Sequence, residues 1–343
     1  MSARVLGWDI GGAHLKLALA EGNRIVAARQ VPCALWQGLD KLREAIATGL
    51  DGLPDAGRYA VTMTGELTDL FPDRASGVAA ILDLLAEVVG GSGITVYGTD
   101  GGFLAIEAAK AAPDRIGSAN WHATAHWLAR AICDGVLLDI GSTTTDIVPF
   151  IAGAVAARGM TDADRLATGE LVYTGVVRTP LMAVAQRVPF EGRELGVMAE
   201  YFATAADAHR LAGTLPEGAD LHPAADGRGK SPAESRARLA RMIGMDAAAA
   251  SDDAWRRLAD AFIRHQIGQI EAAVAGVLST VDLAPAAPVV GAGTGRFLAE
   301  QIARRLDRPY RSFENAVAAT LSLAGLVADI APAAAVALLR SSA

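Results

Sequence analysis

Leu6-Gly7-Trp8-Asp9-Ile10-Gly11 returns 130 positions later as Val136-Leu137-Leu138-Asp139-Ile140-Gly141, with the two aspartates in register. Each copy is an apolar run that ends on Asp-Ile-Gly, passes through a polar turn and resumes as a second apolar run, the signature of strand, turn and strand. The first copy continues as "HLKLALAEG" and "NRIVAARQVP", the second as "TDIVPFIAGAVAARG". A chain of 343 residues that repeats its three-stranded opening once is constrained to two related domains, and two such domains leave a cleft between them.

The rest of the pattern fits that frame. "GLDKLREAIATGL" has helical spacing, "RYAVTMTG" reads as a strand, "GVAAILDLLAEVVG" as a helix and "GITVYGTDGGF" as a strand, giving β-β-β-α-β-α-β. A helical stretch around "ANWHATAHWLARAIC" leads into the second copy. The expected division is a first domain over 1–115, a connecting helix over 116–134 and a second domain over 135–343. The second domain carries a helical insert over 191–280, broken by the loop "TLPEGADLHPAADGRGKSP", then a glycine loop over 289–297 and terminal helices free to pack back on the first domain.

Composition narrows the function classes. With 52% hydrophobic and 20% charged residues the chain builds a large core, which excludes a disordered or fibrous protein. The net charge is −7 and no basic block alternates with aromatics, so nucleic acid is not an expected partner. Cys33 and Cys133 have neither disulfide-framework nor zinc spacing. The late apolar stretch "AVAATLSLAGLVADIAPAAAVALL" is cut by Asp329 and Pro332, and the N-terminus runs straight into a strand, so no membrane association and a cytoplasmic location are expected. The Ala-rich helices of 232–280 leave a homo-oligomer open.

Three loops carry candidate chemistry. In the first turn Gly11 and Gly12 allow backbone amides to approach a ligand, and His14 and Lys16 share one strand face; this is either a plain hairpin or half of a phosphate cradle. The second turn offers Gly141, Ser142, Thr143 and Thr144, with Thr145 beyond them, and by the same 130-residue offset Asp146 stands where Lys16 stands. One copy thus offers a cation and the other carboxylates, making Asp9, Asp139 and Asp146 candidate Mg²⁺ ligands. The third, "VVGAGTGRF", sets Gly291, Gly293, Thr294 and Gly295 between a strand and a helix, without the dinucleotide or Walker spacing. His122 and His126 lie on one helical face, but the glutamate of HExxH is absent.

Taken in order, the three loops resemble the actin-like ATPase superfamily, which includes sugar kinases, heat-shock ATPases and the hydantoinase/oxoprolinase group. That resemblance implies an α/β fold of duplicated actin-like (ribonuclease H-like) domains with an interdomain cleft, the third loop receiving the adenosine part of a nucleotide. "GWDIGGAHLKLA", "TMTGELTDLFPDR", "SANWHATA", "LLDIGSTTTDIVP", "YTGVVRTP" and "VVGAGTGRFL" go further and resemble hydantoinase-like proteins of tetrahydromethanopterin-linked one-carbon metabolism. Their implied activity is a methanofuran-biosynthesis transferase reaction, in which an aminomethylfuran-methyl diphosphate condenses with the phenol of γ-glutamyltyramine and releases pyrophosphate.

Under that reading the loops hold a substrate's own diphosphate with Mg²⁺. Asp9, Lys16 and Asp146 serve catalysis by stabilising the leaving group. Glu66 is the first candidate base for the phenol and Asp69 the second. Arg74, Arg178 and Arg296 are candidate anion partners, while Asn120, Trp121, Tyr173 and Thr174 are candidates for the substrate wall. ATP enters only under the alternative of a kinase or amidohydrolase of the same fold; a nucleotide-dependent reactivating chaperone is a third reading.

Overall fold

The computed structural model describes residues 4–342. Strands β1 (Arg4–Ile10), β2 (His14–Glu21), β3 (Arg24–Pro32), β4 (Tyr59–Met63), β5 (Ile94–Tyr97) and β6 (Phe103–Leu104) form the first sheet in the order β3-β2-β1-β4-β5-β6. Helices α1 (Leu39–Leu50) and α2 (Arg74–Val89) interrupt it in sequence, and α3 (Ile106–Lys110), α4 (Pro113–Ile116) and α5 (Asn120–Ile132) lead onward. The second sheet is built from β7 (Gly135–Ile140), β8 (Thr145–Ile151), β9 (Ala154–Val155), β10 (Leu171–Val172), β13 (Val289–Ala292) and β14 (Tyr310–Ser312).

The path β9-β8-β7-β13-β14 repeats β3-β2-β1-β4-β5 strand for strand, with antiparallel pairing on one side of the central strand and parallel pairing on the other. The repeat extends to single hydrogen bonds. Gly11 N–H donates to His14 O at 3.0 Å and Gly141 N–H to Thr144 O at 2.9 Å. Asp9 faces Lys16 across the first hairpin and Asp139 faces Asp146 across the second. Strand β7 is buried along its whole length and β1 along all but its first residue, as apolar runs covered on both faces must be.

Between α6 (Asp162–Thr168) and β13 the chain adds α7 (Leu181–Val184), β11 (Arg187–Phe190), β12 (Arg193–Gly196), α8 (Ala205–Ala212), α9 (Pro232–Met242) and α10 (Asp252–Leu278). The all-helical expectation for 191–280 needs correction at its start, where β11 and β12 make a hairpin. Glu191 (φ 47°) and Gly192 (φ 77°) form a left-handed two-residue turn, and Phe190 stacks on Trp255 at 4.8 Å between ring centroids. Two four-residue strands are too short for their alternation to show beside long Ala- and Arg-rich helical runs. The loop of 214–231 crosses towards the first domain, where the His222 ring lies 4.9 Å from His14 and 5.5 Å from Trp36.

After β13 come α11 (Arg296–Arg305), β14, β15 (Ala318–Ala319), α12 (Ala324–Asp329) and α13 (Ala331–Ser341). Strand β15 pairs with β3 in the first sheet, and α13 lies against β1, β2, β4 and α5, so 318–341 sits spatially with the first domain. No helix among the described residues is long and apolar enough to cross a membrane.

Gly7 permits the docking of α13. A Cβ at Gly7 would fall on the Ala333 carbonyl and lie 2.8 Å from the Ala337 methyl. Gly7→Ala is therefore expected to destabilise the protein by about 1–3 kcal/mol through overpacking, read as a lower urea midpoint.

Candidate active site

The two hairpins face a single cleft of about 600 Å³. Gly11, Gly12 and His14 come to it from the first turn, Gly141, Ser142, Thr143 and Thr144 from the second, and Asp9, Lys16, Asp139 and Asp146 from the strands behind. The second turn is braced by the "TGVVRTP" segment: the amides of Val177 and Arg178 both donate to Ser142 O, and Val176 N–H donates to Gly141 O. Gly175 is glycine because a Cβ there would lie 2.5 Å from Thr143 N.

Charge is concentrated at the base of the cleft. Lys16 Nζ stands 3.3 Å from Asp9 Oδ2. Burial by itself would lower the Lys16 ammonium, but Asp9, Asp139 and Asp329 outweigh it and hold its pKa above the ordinary value. Burial pushes the Asp139 carboxyl up to about 7; Lys16 opposes this, and Asp146, Asp9 and Asp329 reinforce it. Burial also raises Asp146, against the pull of Arg165. His14 is driven down to about 3 by burial and by Lys16, His222 and Arg178, so it is a neutral imidazole at physiological pH, with Nε2 buried and unpartnered.

Asn120, Trp121, Tyr173, Arg178 and Asp69 also line the cleft. The Arg178 guanidinium lies 5.2 Å from the centre of the Trp36 ring, another cleft residue. Other candidates lie elsewhere. Glu66 is 1% exposed and outside the lining, behind Ser118. Arg74 is paired with Asp162 at 2.8 Å. Buried Thr174 accepts a hydrogen bond from Gln266. His122 and His126 both meet the Tyr97 hydroxyl through Nδ1, at 2.9 and 2.8 Å, in a packed aromatic cluster.

The third loop also departs from expectation. Gly291, Gly293, Thr294 and Gly295 are not part of the cleft lining. Gly293 N–H donates to Ala328 O at 2.8 Å and Gly295 N–H to Ile140 O at 2.7 Å, so both amides are occupied within the fold. These glycines serve close packing: a Cβ on Gly291 would strike Tyr310, and one on Gly295 would strike Ile140 and Val176. Arg296 is held by Asp329 and by Gly293 O, away from the cleft.

The most consequential residue that sequence reasoning missed is Arg165. It is 1% exposed, donates to Asp146 Oδ1 at 2.8 Å and to Glu170 O at 2.9 Å, and lies 3.9 Å from the centre of the Trp121 ring. Ser118, Asp162 and Trp36 were missed as well. Ser118 opens the stretch "SANWHATA" without a chemical signal of its own, Arg165, Asp162 and Trp36 sit in no motif, and only the fold brings α6 beside β8.

The arrangement bears directly on a divalent metal. Among the described residues no three His, Cys, Asp or Glu side chains gather into a metal-holding group, and Asp146 gives Oδ1 to Arg165. Asp9 Oδ1, by contrast, is buried without a partner, and Asp139 is crowded by other carboxylates. Mg²⁺ commonly takes one or two protein carboxylates and completes its shell with water and substrate phosphate, so Asp9 and Asp139 fit such an ion.

A hydantoinase/oxoprolinase family model matches residues 58–333. The chain belongs to the hydantoinase/oxoprolinase family. Within it, the chain is 34% identical over 254 residues to the (4-{4-[2-(γ-L-glutamylamino)ethyl]phenoxymethyl}furan-2-yl)methanamine synthase of Methanocaldococcus jannaschii, covering 74% of this chain and 75% of that one. The synthase of the same name from Methanococcus vannielii is 37% identical over 107 residues, which is 31% of this chain and 46% of the relative. Among solved structures, a nucleotide-free acetone carboxylase superposes on 89% of this chain and 67% of its own with a TM-score of 0.56 at 12% identity, which shows a shared fold. That fold is the duplicated actin-like α/β architecture with its interdomain cleft.

The Asp139 carboxyl supplies a test of the site's electrostatics. Its folded pKa lies above the unfolded value, so stability falls as pH rises from about 4 through 7 and stays reduced above that. Asp139→Asn, neutral at every pH, is expected to raise the melting temperature at pH 8, to leave it nearly unchanged at pH 4, and to abolish turnover.

Proposed function

We propose that this family member catalyses the aryl-ether step of methanofuran biosynthesis, joining an aminomethylfuran-methyl diphosphate to the phenol of γ-glutamyltyramine and releasing pyrophosphate. The observation that carries this is the 34% identity to the archaeal synthase across three quarters of both chains. The named product of that relative contains the phenoxymethylfuran ether such a condensation forms. The cleft supports the reading, because its hairpins carry small and hydroxyl side chains around a half-buried lysine, the chemistry that suits a diphosphate. The Gly293 and Gly295 amides of the third loop are already bonded within the fold, which does not favour an ATP-dependent kinase or amidohydrolase.

Charge develops on the leaving diphosphate as its bond to the furan-methyl carbon breaks. Lys16, held charged by the surrounding carboxylates, stabilises that charge more in the transition state than in the bound substrate. Mg²⁺ held by Asp9 and Asp139 would neutralise further phosphoryl charge. Arg165 fixes Asp146 and packs on the buried Trp121 ring, which keeps this wall of the cleft rigid. Arg178 lies across Trp36 beside the first turn and offers a cation for the glutamyl carboxylate. We place the reaction in the cytoplasm, on small-molecule substrates.

Incubation with the furan diphosphate and γ-glutamyltyramine is expected to release pyrophosphate in a Mg²⁺-dependent manner without ATP. Lys16→Met should lower kcat/KM by about 10²–10³-fold, the scale of losing one preorganised charge-stabilising group. ATP consumption with no pyrophosphate from the furan substrate would overturn the reading.

A further inference from the structure

Ser118 has φ 53°, an uncommon conformation for a residue other than glycine. It follows Gly117, which bridges the end of β4 at Met63 and has no side chain because a Cβ would lie 2.8 Å from Arg74 and 2.9 Å from Glu66 Oε1. This backbone sets the Ser118 hydroxyl 3.1 Å from Glu66 Oε1 and 3.1 Å from Asp162 Oδ2. Backbone strain of this kind persists where the surroundings impose it and clusters at functional sites.

A hydroxyl has one proton and cannot donate to two carboxylates. The second contact therefore needs a proton on one of the acids. Glu66 is the acid that holds it: it is 1% exposed, and its Oε2 is buried with no partner. Asp162 is ion-paired to Arg74 Nη2 at 2.8 Å and lines the cleft. The order of donation is Glu66 to Ser118 to Asp162. Burial raising the Glu66 carboxyl, partly offset by Arg74 and Ser118, agrees with it.

The other four cleft carboxylates, Asp9, Asp69, Asp139 and Asp146, are differently placed. Asp9 and Asp139 fit a cation, Asp146 gives Oδ1 to Arg165, and Asp69 is exposed, whereas Asp162 is fixed in direction by both Ser118 and Arg74. We propose that Asp162 is the base that takes the phenol proton, and that neutral Glu66, acting through Ser118, is a positioning residue that keeps the Asp162 carboxylate aimed and charged. The inference rests on the ether-forming reading above. The phenol O–H bond breaks and its proton passes to Asp162. The phenol oxygen bonds to the furan-methyl carbon, the carbon–diphosphate bond breaks with its electron pair leaving on pyrophosphate, and Asp162 returns its proton to water. Arg74 pairs with Asp162, Asp146 acts on it electrostatically, and Arg165, three residues further along α6, is bonded to Asp146.

The test uses the full chain and pyrophosphate release. Asp162→Asn is expected to lower kcat by about 10²–10⁴-fold, the range for general-base loss, and a ring-fluorinated γ-glutamyltyramine already ionised at the assay pH should recover most of it. Glu66→Gln keeps a donor towards Ser118 and should retain kcat within about threefold, whereas Glu66→Ala should not. An infrared difference spectrum of wild type against Glu66→Gln should show a protonated carboxyl band at pH 7.

The proposal is overturned by full activity in Asp162→Asn, by Glu66→Gln losing as much as Asp162→Asn, or by absence of the carboxyl band. The infrared readout needs no turnover. Wild-type protein that shows the band but releases no pyrophosphate from either phenol would instead overturn the ether-forming reading and, with it, the role given to Asp162.

Discussion

Lys16 sits at the point on which the site depends. Its ammonium is 3.3 Å from Asp9 and held charged by Asp9, Asp139 and Asp329, three carboxylates drawn from both sheets and from α12 near the C-terminus. Removing a charge from water is costly unless an opposite charge compensates, so the Lys16 ammonium keeps its compensation only while the two domains stay closely apposed. The arrangement therefore links the integrity of the cleft to the return of the C-terminal helices onto the first sheet.

The two halves repeat in backbone and diverge in charge. Ile10 O and Ile140 O, 130 positions apart, each accept an amide from the loop after the neighbouring parallel strand, Thr64 at 3.0 Å and Gly295 at 2.7 Å. Those loops read Thr64-Gly65-Glu66-Leu67 and Thr294-Gly295-Arg296-Phe297, with an acid in one and a base in the other. Neither charged residue reaches the cleft: Glu66 turns inward to Ser118, and Arg296 to Asp329. Duplication preserved the frame, while local packing assigned the side chains.

That division explains what could be read from the chain in advance. The hairpins and the order of strands and helices along the chain follow from local patterns, because strand periodicity and turn chemistry are properties of neighbouring residues. The glycine loop misled for a related reason. Glycine at Gly291, Gly293 and Gly295 signals close approach without saying to what, and here the approach is to Tyr310, Ile140 and Val176. The hairpin at Arg187–Gly196 was hidden by its brevity amid helical composition.

From sequence alone came the duplication, the pairing of a cation in one copy with a carboxylate in the other, and the family likeness, all of which rest on short-range pattern. Tertiary structure decided that Arg165 clamps Asp146, that Glu66 is withdrawn behind Ser118 beside Asp162, and that the third loop is spent on packing. Those outcomes depend on contacts between residues far apart in the chain, whose distances and burial are set only when the two sheets and the terminal helices pack together.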